Sequence, residues 1–209
     1  MQVELFEALR TTRAMRRFDL TRPVPDASIW TIIEAATRAP SGGNRQPVRW
    51  LVVQDERTRR ELGTVYRSAW RAVRAGLGAR LLSDPQLARV FQAAEHLAEH
   101  MGDVPLIIVP CAAGASPASV YPAIQNLLLA ARGLGLGTTL TTAHLAREHE
   151  VRKILSIPDD VSTYAVIPVG YPLGRWVDVQ RRPVEEVTYW NRWDRTMPRP
   201  TSHENDDPR

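Results

Sequence analysis

The chain contains very little cysteine and has no long apolar run. Its single cysteine, Cys111, excludes an intrachain disulfide framework and is typical of a protein from a reducing compartment. Cys111 ends an apolar segment, which favours a buried thiol over a nucleophile. No apolar segment approaches the ~20 residues that a membrane-spanning helix needs, and residues 1–10 lack the apolar stretch of a signal peptide. We therefore expect a cytoplasmic protein without a membrane partner.

The sequence also lacks a block of positive charge. Its formal net charge of +4 comes from 27 basic and 23 acidic residues, which are spread along the chain. Proteins that bind nucleic acids usually concentrate basic residues on one face, so we expect no nucleic-acid partner. A length of 209 residues, with 44% hydrophobic and 24% charged residues, is typical of a globular domain with a substantial core.

Two segments near the N-terminus combine residue types that suit the two ends of a phosphorylated cofactor. Arg13, Arg16 and Arg17 lie at the end of a predicted helix, and guanidinium groups donate paired hydrogen bonds to phosphate oxygens. The helix dipole would also tolerate these cations without a ligand. Residues 39–47, APSGGNRQP, offer hydroxyl and amide groups and two glycines to the edge of a heteroaromatic ring. The plainer interpretation of this loop is a helix-to-strand connection.

Hydrophobic periodicity predicts the order of the main elements. Apolar residues recur at helical spacing in residues 5–12, 26–39, 85–102, 117–132 and 147–155. Apolar or β-branched runs predict strands at residues 50–53, 104–110, 138–142 and 164–170. The pattern predicts one domain over residues 1–195. Residues 196–209 lack apolar periodicity and are expected to form a flexible tail.

One motif on the helix of residues 85–102 favours a different chemistry. Residues 96–100, HLAEH, match the H-x-x-E-H pattern in which two histidines four residues apart bind zinc. Leu97 and Met101 mark the core face of this helix, so both histidines lie on its flank and Glu99 points nearly opposite. A chance match is the better interpretation of so short a motif, and we expect no metal site.

Several segments together resemble the nitroreductase family of FMN enzymes. They occur in the order typical of that family: RAMRRF (13–18), APSGGNRQPVRWLVV (39–53), YPAIQNLLLAARGLGLGTTLTT (121–142) and RRPVEEV (181–187). The resemblance covers nearly the whole chain, from about Phe6 to Trp193. It implies an α+β fold of three α/β/α layers with a mostly antiparallel central sheet, in an intertwined homodimer. FMN would lie at the dimer interface, in contact with both subunits.

The resemblance also assigns cofactor contacts. Those for the phosphate and ribityl chain are Arg13, Ala14 and Arg16, with Arg181 or Arg182 as a second cation near the phosphate. The residues that would line the edge of the isoalloxazine ring are Pro40, Ser41, Gly42, Asn44 and Gln46. A strand end that would face the ring contains Leu140, Thr141 and Thr142. Two positions depart from the family pattern, since Ala14 stands where a serine is common and Val48 where a tryptophan is usual.

The activity that the resemblance implies is an FMN-dependent NAD(P)H oxidoreductase. NADH or NADPH would reduce the flavin by hydride transfer and leave, and an electron-poor acceptor of nitroaromatic or quinone type would follow in ping-pong order. The flavin carries the chemistry, so no catalytic side chain is assigned. Two alternatives stay open: a flavin-cleaving or dehalogenating relative on the same fold, and a flavin-binding or storage protein without reductase activity. The sequence chooses neither the acceptor nor the nicotinamide.

Overall fold

The structure is a computed structural model, and it describes residues 3–76, 85–114 and 117–197. The chain divides after Val177 into two units, Met1–Val177 and Asp178–Arg209. Within the described ranges, no helix is both long enough and apolar enough to cross a membrane.

The described part of the first unit contains six α-helices. They are α1 (Leu5–Thr11), α2 (Asp26–Thr37), α3 (Glu56–Ala75), α4 (Pro85–His100), α5 (Pro117–Gly133) and α6 (Glu148–Ile154). Proline opens α4 and α5, where its missing N–H costs no intrahelical bond. The side chain of Asp55 caps α3 by accepting a hydrogen bond from the amide of Thr58 at 2.8 Å.

Five strands form one antiparallel sheet. They are β1 (Arg49–Val53), β2 (Leu106–Ala113), β3 (Gly137–Thr138), β4 (Val161–Thr163) and β5 (Ile167–Gly170). Their order is β1-β2-β5-β3, and β4 pairs with the C-terminal end of β2. Strands β1 and β3 therefore lie at opposite edges of the sheet. All described pairings between strands are antiparallel, so the predicted α+β class is confirmed.

Two predicted strands are shorter in the structure than in the sequence analysis. The strand predicted at 138–142 pairs regularly only through Thr138, and then forms an isolated bridge between Thr141 and Val166. The strand predicted at 164–170 begins at Ile167. The backbone changes partner just before it, because the amide of Tyr164 donates to Pro110 of β2 and that of Val166 donates to Thr141.

Separate hydrophobic clusters cover the two faces of the sheet. Along β2, Ile107 and Val109 belong to one cluster while Leu106 and Ile108 belong to the other, as the alternation of side chains in a strand requires. The first cluster includes residues of α3, α4 and α6, and the second includes residues of α2 and α5. The predicted three-layer α/β/α arrangement is confirmed.

The second unit is described through Met197 and has one short 3-10 helix, Val184–Val187. The rings of Tyr189 and Trp193 stack with their centroids 4.6 Å apart. The predicted domain extent, residues 1–195, and the predicted flexible tail stay predictions, and residues 198–209 of that tail lie outside the described residues.

Candidate functional site

The segment of residues 13–16 runs along the edge strand β3. The amide of Met15 donates to the carbonyl of Thr138 at 2.9 Å, and the hydroxyl of Thr139 donates to the carbonyl of Met15. Ala14 and Thr138 form a parallel bridge. The arginine segment is thus fixed to the sheet by its own backbone, which leaves its side chains available for other contacts.

Gly137 allows this close approach. A Cβ atom built at Gly137 would lie 2.9 Å from the Cβ atoms of both Met15 and Pro172, closer than real Cβ contacts. Glycine is therefore the residue that lets the arginine segment pack against β3.

Arg13 and Arg16 place two positive charges in the segment beside β3. Within the part of the chain that the structure describes, no ion pair includes either of them. Burial lowers the pKa of the half-buried Arg16 guanidinium; the nearby Tyr66 phenol opposes this effect, and the charge of Arg13 adds to it. Two neighbouring guanidinium groups that lack a carboxylate fit a phosphate, which accepts charge-assisted hydrogen bonds from both.

The strand end that follows β3 contacts α3 through a polar pair. The hydroxyl of Tyr66 lies 2.6 Å from Oγ1 of Thr141, and Tyr66 is only 4% exposed. One helical turn further on, the indole N–H of Trp70 is buried and has no hydrogen-bond partner among the described residues. Leu140 and Thr142 are exposed on either side of Thr141. This end of the sheet therefore offers hydroxyl groups to a bound molecule.

Sequence analysis did not identify Tyr66 as a site residue. It lies among apolar residues on the buried face of α3, with Leu62 and Ala69, so its spacing indicates only a core position. Its contact with Thr141 joins residues 75 positions apart. No local pattern contains that information.

Hydrogen bonds within and beside the loop of residues 41–46 hold its shape. Oγ of Ser41 accepts a hydrogen bond from the amide of Gln46 at 2.9 Å. Oγ of Ser119, on α5, accepts one from the amide of Gly42 at 3.2 Å. The loop is largely exposed, and a cavity of about 160 Å³ lies between it, β1 and α5.

Three residues of this loop have left-handed backbone conformations. Gly43 has φ of 60°, Asn44 of 52° and Gln46 of 48°. Such conformations cost energy for residues other than glycine and persist where the surroundings hold them, often at binding sites. The side-chain amide of Gln46 donates to Oδ1 of Asn44 at 3.3 Å, so the two predicted amide residues meet.

The structure brings the predicted site residues of the first unit together as two groups. Residues 13–16 and 140–142 lie beside or just after β3, whereas residues 40–46 immediately precede β1 at the opposite edge. Strands β2 and β5 lie between them, and at roughly 4.8 Å per strand the two edge strands are about 14 Å apart.

The predicted C-terminal cations lie in the second unit. Arg181 and Arg182 are exposed there, and Arg181 donates to the carbonyl of Gln180 at 2.9 Å. Their contact with a phosphate stays a prediction.

The side chains of the H-x-x-E-H motif on α4 contact different partners. The rings of His96 and His100 lie 4.6 Å apart, while the carboxylate of Glu99 is 3.4 Å from Arg67 and 3.9 Å from Arg71. Across the described ranges, no group of three or more His, Cys, Asp or Glu residues is placed to hold a metal ion.

A buried polar cluster lies behind Thr141 that sequence analysis also missed. Nε2 of His144 is 2.9 Å from Oγ1 of Thr163, and a carboxylate oxygen of Glu148 accepts hydrogen bonds from the amide and hydroxyl of Thr163. Burial lowers the pKa of His144 to about 4, with Glu148 opposing this effect.

The single cysteine, Cys111, is buried and free. Burial raises the pKa of its thiol to about 12, so the predicted buried thiol is confirmed and is inert near neutral pH.

An arginine segment held against the edge of an antiparallel α/β/α sheet is an arrangement that suits a protein with a phosphorylated cofactor. Residues 9–171 match the Nitroreductase family. The chain belongs to that family, and the prediction made from the sequence is confirmed.

Particular relatives show how varied the family is. The chain is 28% identical to an NADH dehydrogenase of Thermus thermophilus over 86% of this chain and 94% of the relative. It is also 28% identical to an iodotyrosine deiodinase of Thermotoga neapolitana, over 80% and 88% of the two chains. A crystal structure of a variant of an FMN- and NADPH-dependent nitroreductase from Sphigopyxis sp. strain HMH matches with a TM-score of 0.69 at 25% identity, over 90% of this chain and 99% of that one.

Proposed function

We propose that this chain is an FMN-dependent NAD(P)H oxidoreductase that reduces small electron-poor acceptors of nitroaromatic or quinone type. The observation that carries the proposal is a pair of arginines, Arg13 and Arg16, that form no ion pair with any described residue. Their segment is fixed beside the strand end that carries the hydroxyl of Thr141. The FMN and NADPH named for the Sphigopyxis relative support the choice of cofactor and donor.

The residues of this chain bind and orient the cofactor. Arg13 and Arg16 would hold the phosphate, and Thr141 and Thr142 would lie beside the ring. The loop of residues 40–46 would offer backbone amides and polar side chains to the ring edge. Bound FMN would supply hydride transfer between a nicotinamide and the acceptor. We expect ping-pong order, because the nicotinamide and the acceptor would use the same space over the flavin in turn.

A homodimer completes this site. The two groups of cofactor contacts lie at opposite edges of one sheet, so we assign the arginine segment to one subunit and the loop to its partner. Exposed apolar side chains on α1 and α2 support such an interface: Phe6 is 65% and Trp30 72% exposed. A groove between α1, α2 and α5, lined mainly by apolar residues, continues this surface.

Anaerobic reduction tests the proposed activity. The purified protein is reconstituted with FMN and titrated with NADPH and then, separately, with NADH, while the visible absorption is recorded. We expect the flavin bands to bleach with at least one donor and to return when a nitroaromatic or a quinone is added. Bands that persist with both donors would instead indicate a flavin-binding or storage protein.

Reductive dehalogenation is a second candidate function. The observation that favours it is the 28% identity to the iodotyrosine deiodinase of T. neapolitana. Iodide release from iodotyrosine by the chemically reduced, FMN-loaded protein would support this candidate, with a nitroaromatic as the competing acceptor. The faster of the two turnovers, measured at equal acceptor concentration, identifies the preferred reaction.

A further inference from the structure

The contact between Tyr66 and Thr141 connects three elements of the candidate site. Tyr66 belongs to α3, Thr141 follows β3, and the guanidinium of Arg16 lies close enough to Tyr66 for their charges to interact. Tyr66 is almost fully buried, whereas Thr141 is half-buried between two exposed residues. The polar pair therefore has a buried end on α3 and an open end at the strand.

The chemistry of the neighbours determines which hydroxyl donates. A guanidinium group carries only N–H donors, so Arg16 attracts the oxygen of Tyr66 and repels its proton. The phenolic proton then points to Thr141, and Tyr66 donates to Oγ1 of Thr141. The amide of Ala143 also points at that oxygen, at 3.4 Å. Both lone pairs of the Thr141 hydroxyl are thus occupied.

A hydroxyl group with two incoming donors has one proton left to give. Oγ1 of Thr141 has no third hydrogen-bond partner among the described residues. Its proton is therefore directed to the open side of the strand end. A molecule bound there meets a donor at this position.

We infer that Tyr66 is a positioning residue whose hydroxyl fixes Thr141 as a hydrogen-bond donor to an acceptor atom of the bound FMN. This inference rests on the proposed function. Tyr66 does not touch the cofactor, and it acts through Thr141. Burial raises the pKa of Tyr66, so its hydroxyl keeps its proton throughout the neutral range.

The test compares FMN binding by the full-length apoprotein and four variants, followed by the quenching of FMN fluorescence. We expect Y66F and T141V each to raise the dissociation constant about fivefold, the effect of one lost hydrogen bond. T141S keeps the hydroxyl and should bind like the wild type. Y171F removes a phenolic hydroxyl from a ring that packs under Arg22, and serves as the matched control.

Two further readouts separate positioning from a purely structural role. The visible bands of bound FMN should shift in the same direction in Y66F and T141V and should not shift in Y171F, because T141V removes the donor to FMN and Y66F leaves that donor without its fixed orientation. The double variant Y66F/T141V should bind FMN no more weakly than T141V alone, since the two residues act through one contact.

Several outcomes would overturn the inference. Wild-type affinity and spectrum in Y66F, or an additive double variant, would show that Tyr66 only fills space. If Y66F does not fold in a thermal-unfolding control, wild-type affinity and spectrum in T141V overturn it independently. Failure of the wild-type protein to bind FMN at all would remove the proposed function together with the inference, so the two failures are distinguishable.

Discussion

At the scale of single residues, the proposed phosphate site depends on two cations that have no acidic partner in the described part of the chain. Burial lowers the pKa of Arg16, and the charge of Arg13 adds to this effect. Placing two like charges near a partly buried position costs free energy, and a bound anion would offset that cost. The composition of the segment predicted this role, because guanidinium groups at this spacing suit a phosphate.

The phosphate assignment predicts a difference between two flavins. R16A should weaken FMN binding by at least tenfold, because a charge-assisted contact to the phosphate is lost. Binding of riboflavin, which has no phosphate, should change less than twofold. Fluorescence titration of both ligands measures this. The control is R22A, which removes an exposed arginine whose guanidinium stacks on the ring of Tyr171; equal losses for FMN and riboflavin in R16A would contradict the assignment.

The buried His144 predicts a dependence of stability on pH. Burial lowers its pKa to about 4 in the folded protein, against about 6.5 in the unfolded chain. Above pH 6.5 both states hold neutral imidazole, and the stability is unaffected. Between about pH 6.5 and 4 the unfolded chain binds more protons, so the free energy of unfolding falls as the pH falls, by up to about 3 kcal/mol.

Denaturant unfolding at a series of pH values measures this effect. H144Q has no titratable group at this position. The difference in the free energy of unfolding between wild type and H144Q should therefore shrink as the pH drops from 6.5 to 4. A difference that stays constant over that window would show that His144 does not titrate as its burial requires.

At the scale of elements, the position of the arginine segment depends on one glycine of β3. G137A would place a Cβ 2.9 Å from those of Met15 and Pro172. We expect the segment of residues 13–16 to move off the strand, with a loss of stability of about 1–3 kcal/mol and weaker FMN binding. The control is G76A at the end of α3, where the added atom meets only two carbonyl oxygens, at the ordinary contact distances of 3.5 and 4.0 Å.

Thermal unfolding and FMN titration of the two variants give the outcome. Wild-type behaviour of G137A in both measurements would show that the close approach at β3 does not position the arginine segment. Comparable losses in G76A would show that any added methyl group has the same effect.

The elements also show what periodicity can and cannot predict. Helices α2 and α4 and strand β1 follow from apolar spacing and from proline positions, and the order of family segments predicted the three layers. Strand β3 is shorter than its β-branched sequence suggests, because its pairing depends on β5 and on Val166 rather than on local propensity. The polar contacts of Tyr66 and His144 could not be predicted from local patterns, because their partners are distant in sequence.

At the scale of the whole molecule, the sheet topology separates the predicted cofactor contacts. The order β1-β2-β5-β3 places the loop of residues 40–46 and the arginine segment at opposite edges. Sequence order alone does not show this, since the two segments are only about 25 residues apart along the chain. The separation is the reason that we propose a site shared between two subunits.

A mixed dimer tests this shared site most directly. One subunit carries R13A/R16A and the other carries G42L, which adds a bulky side chain to the loop at a position where a Cβ meets only Oγ of Ser119, at 3.8 Å. The two are co-expressed with different affinity tags, and the mixed dimer is isolated through both tags. Bound FMN is then counted from its absorption.

We predict that each variant homodimer binds no FMN, and that the mixed dimer binds about one FMN where the wild-type dimer binds about two, because one of its two sites combines an intact arginine segment with an intact partner loop. A mixed dimer that binds no FMN, beside a wild type that binds two, would place both groups of contacts within one subunit and contradict the account.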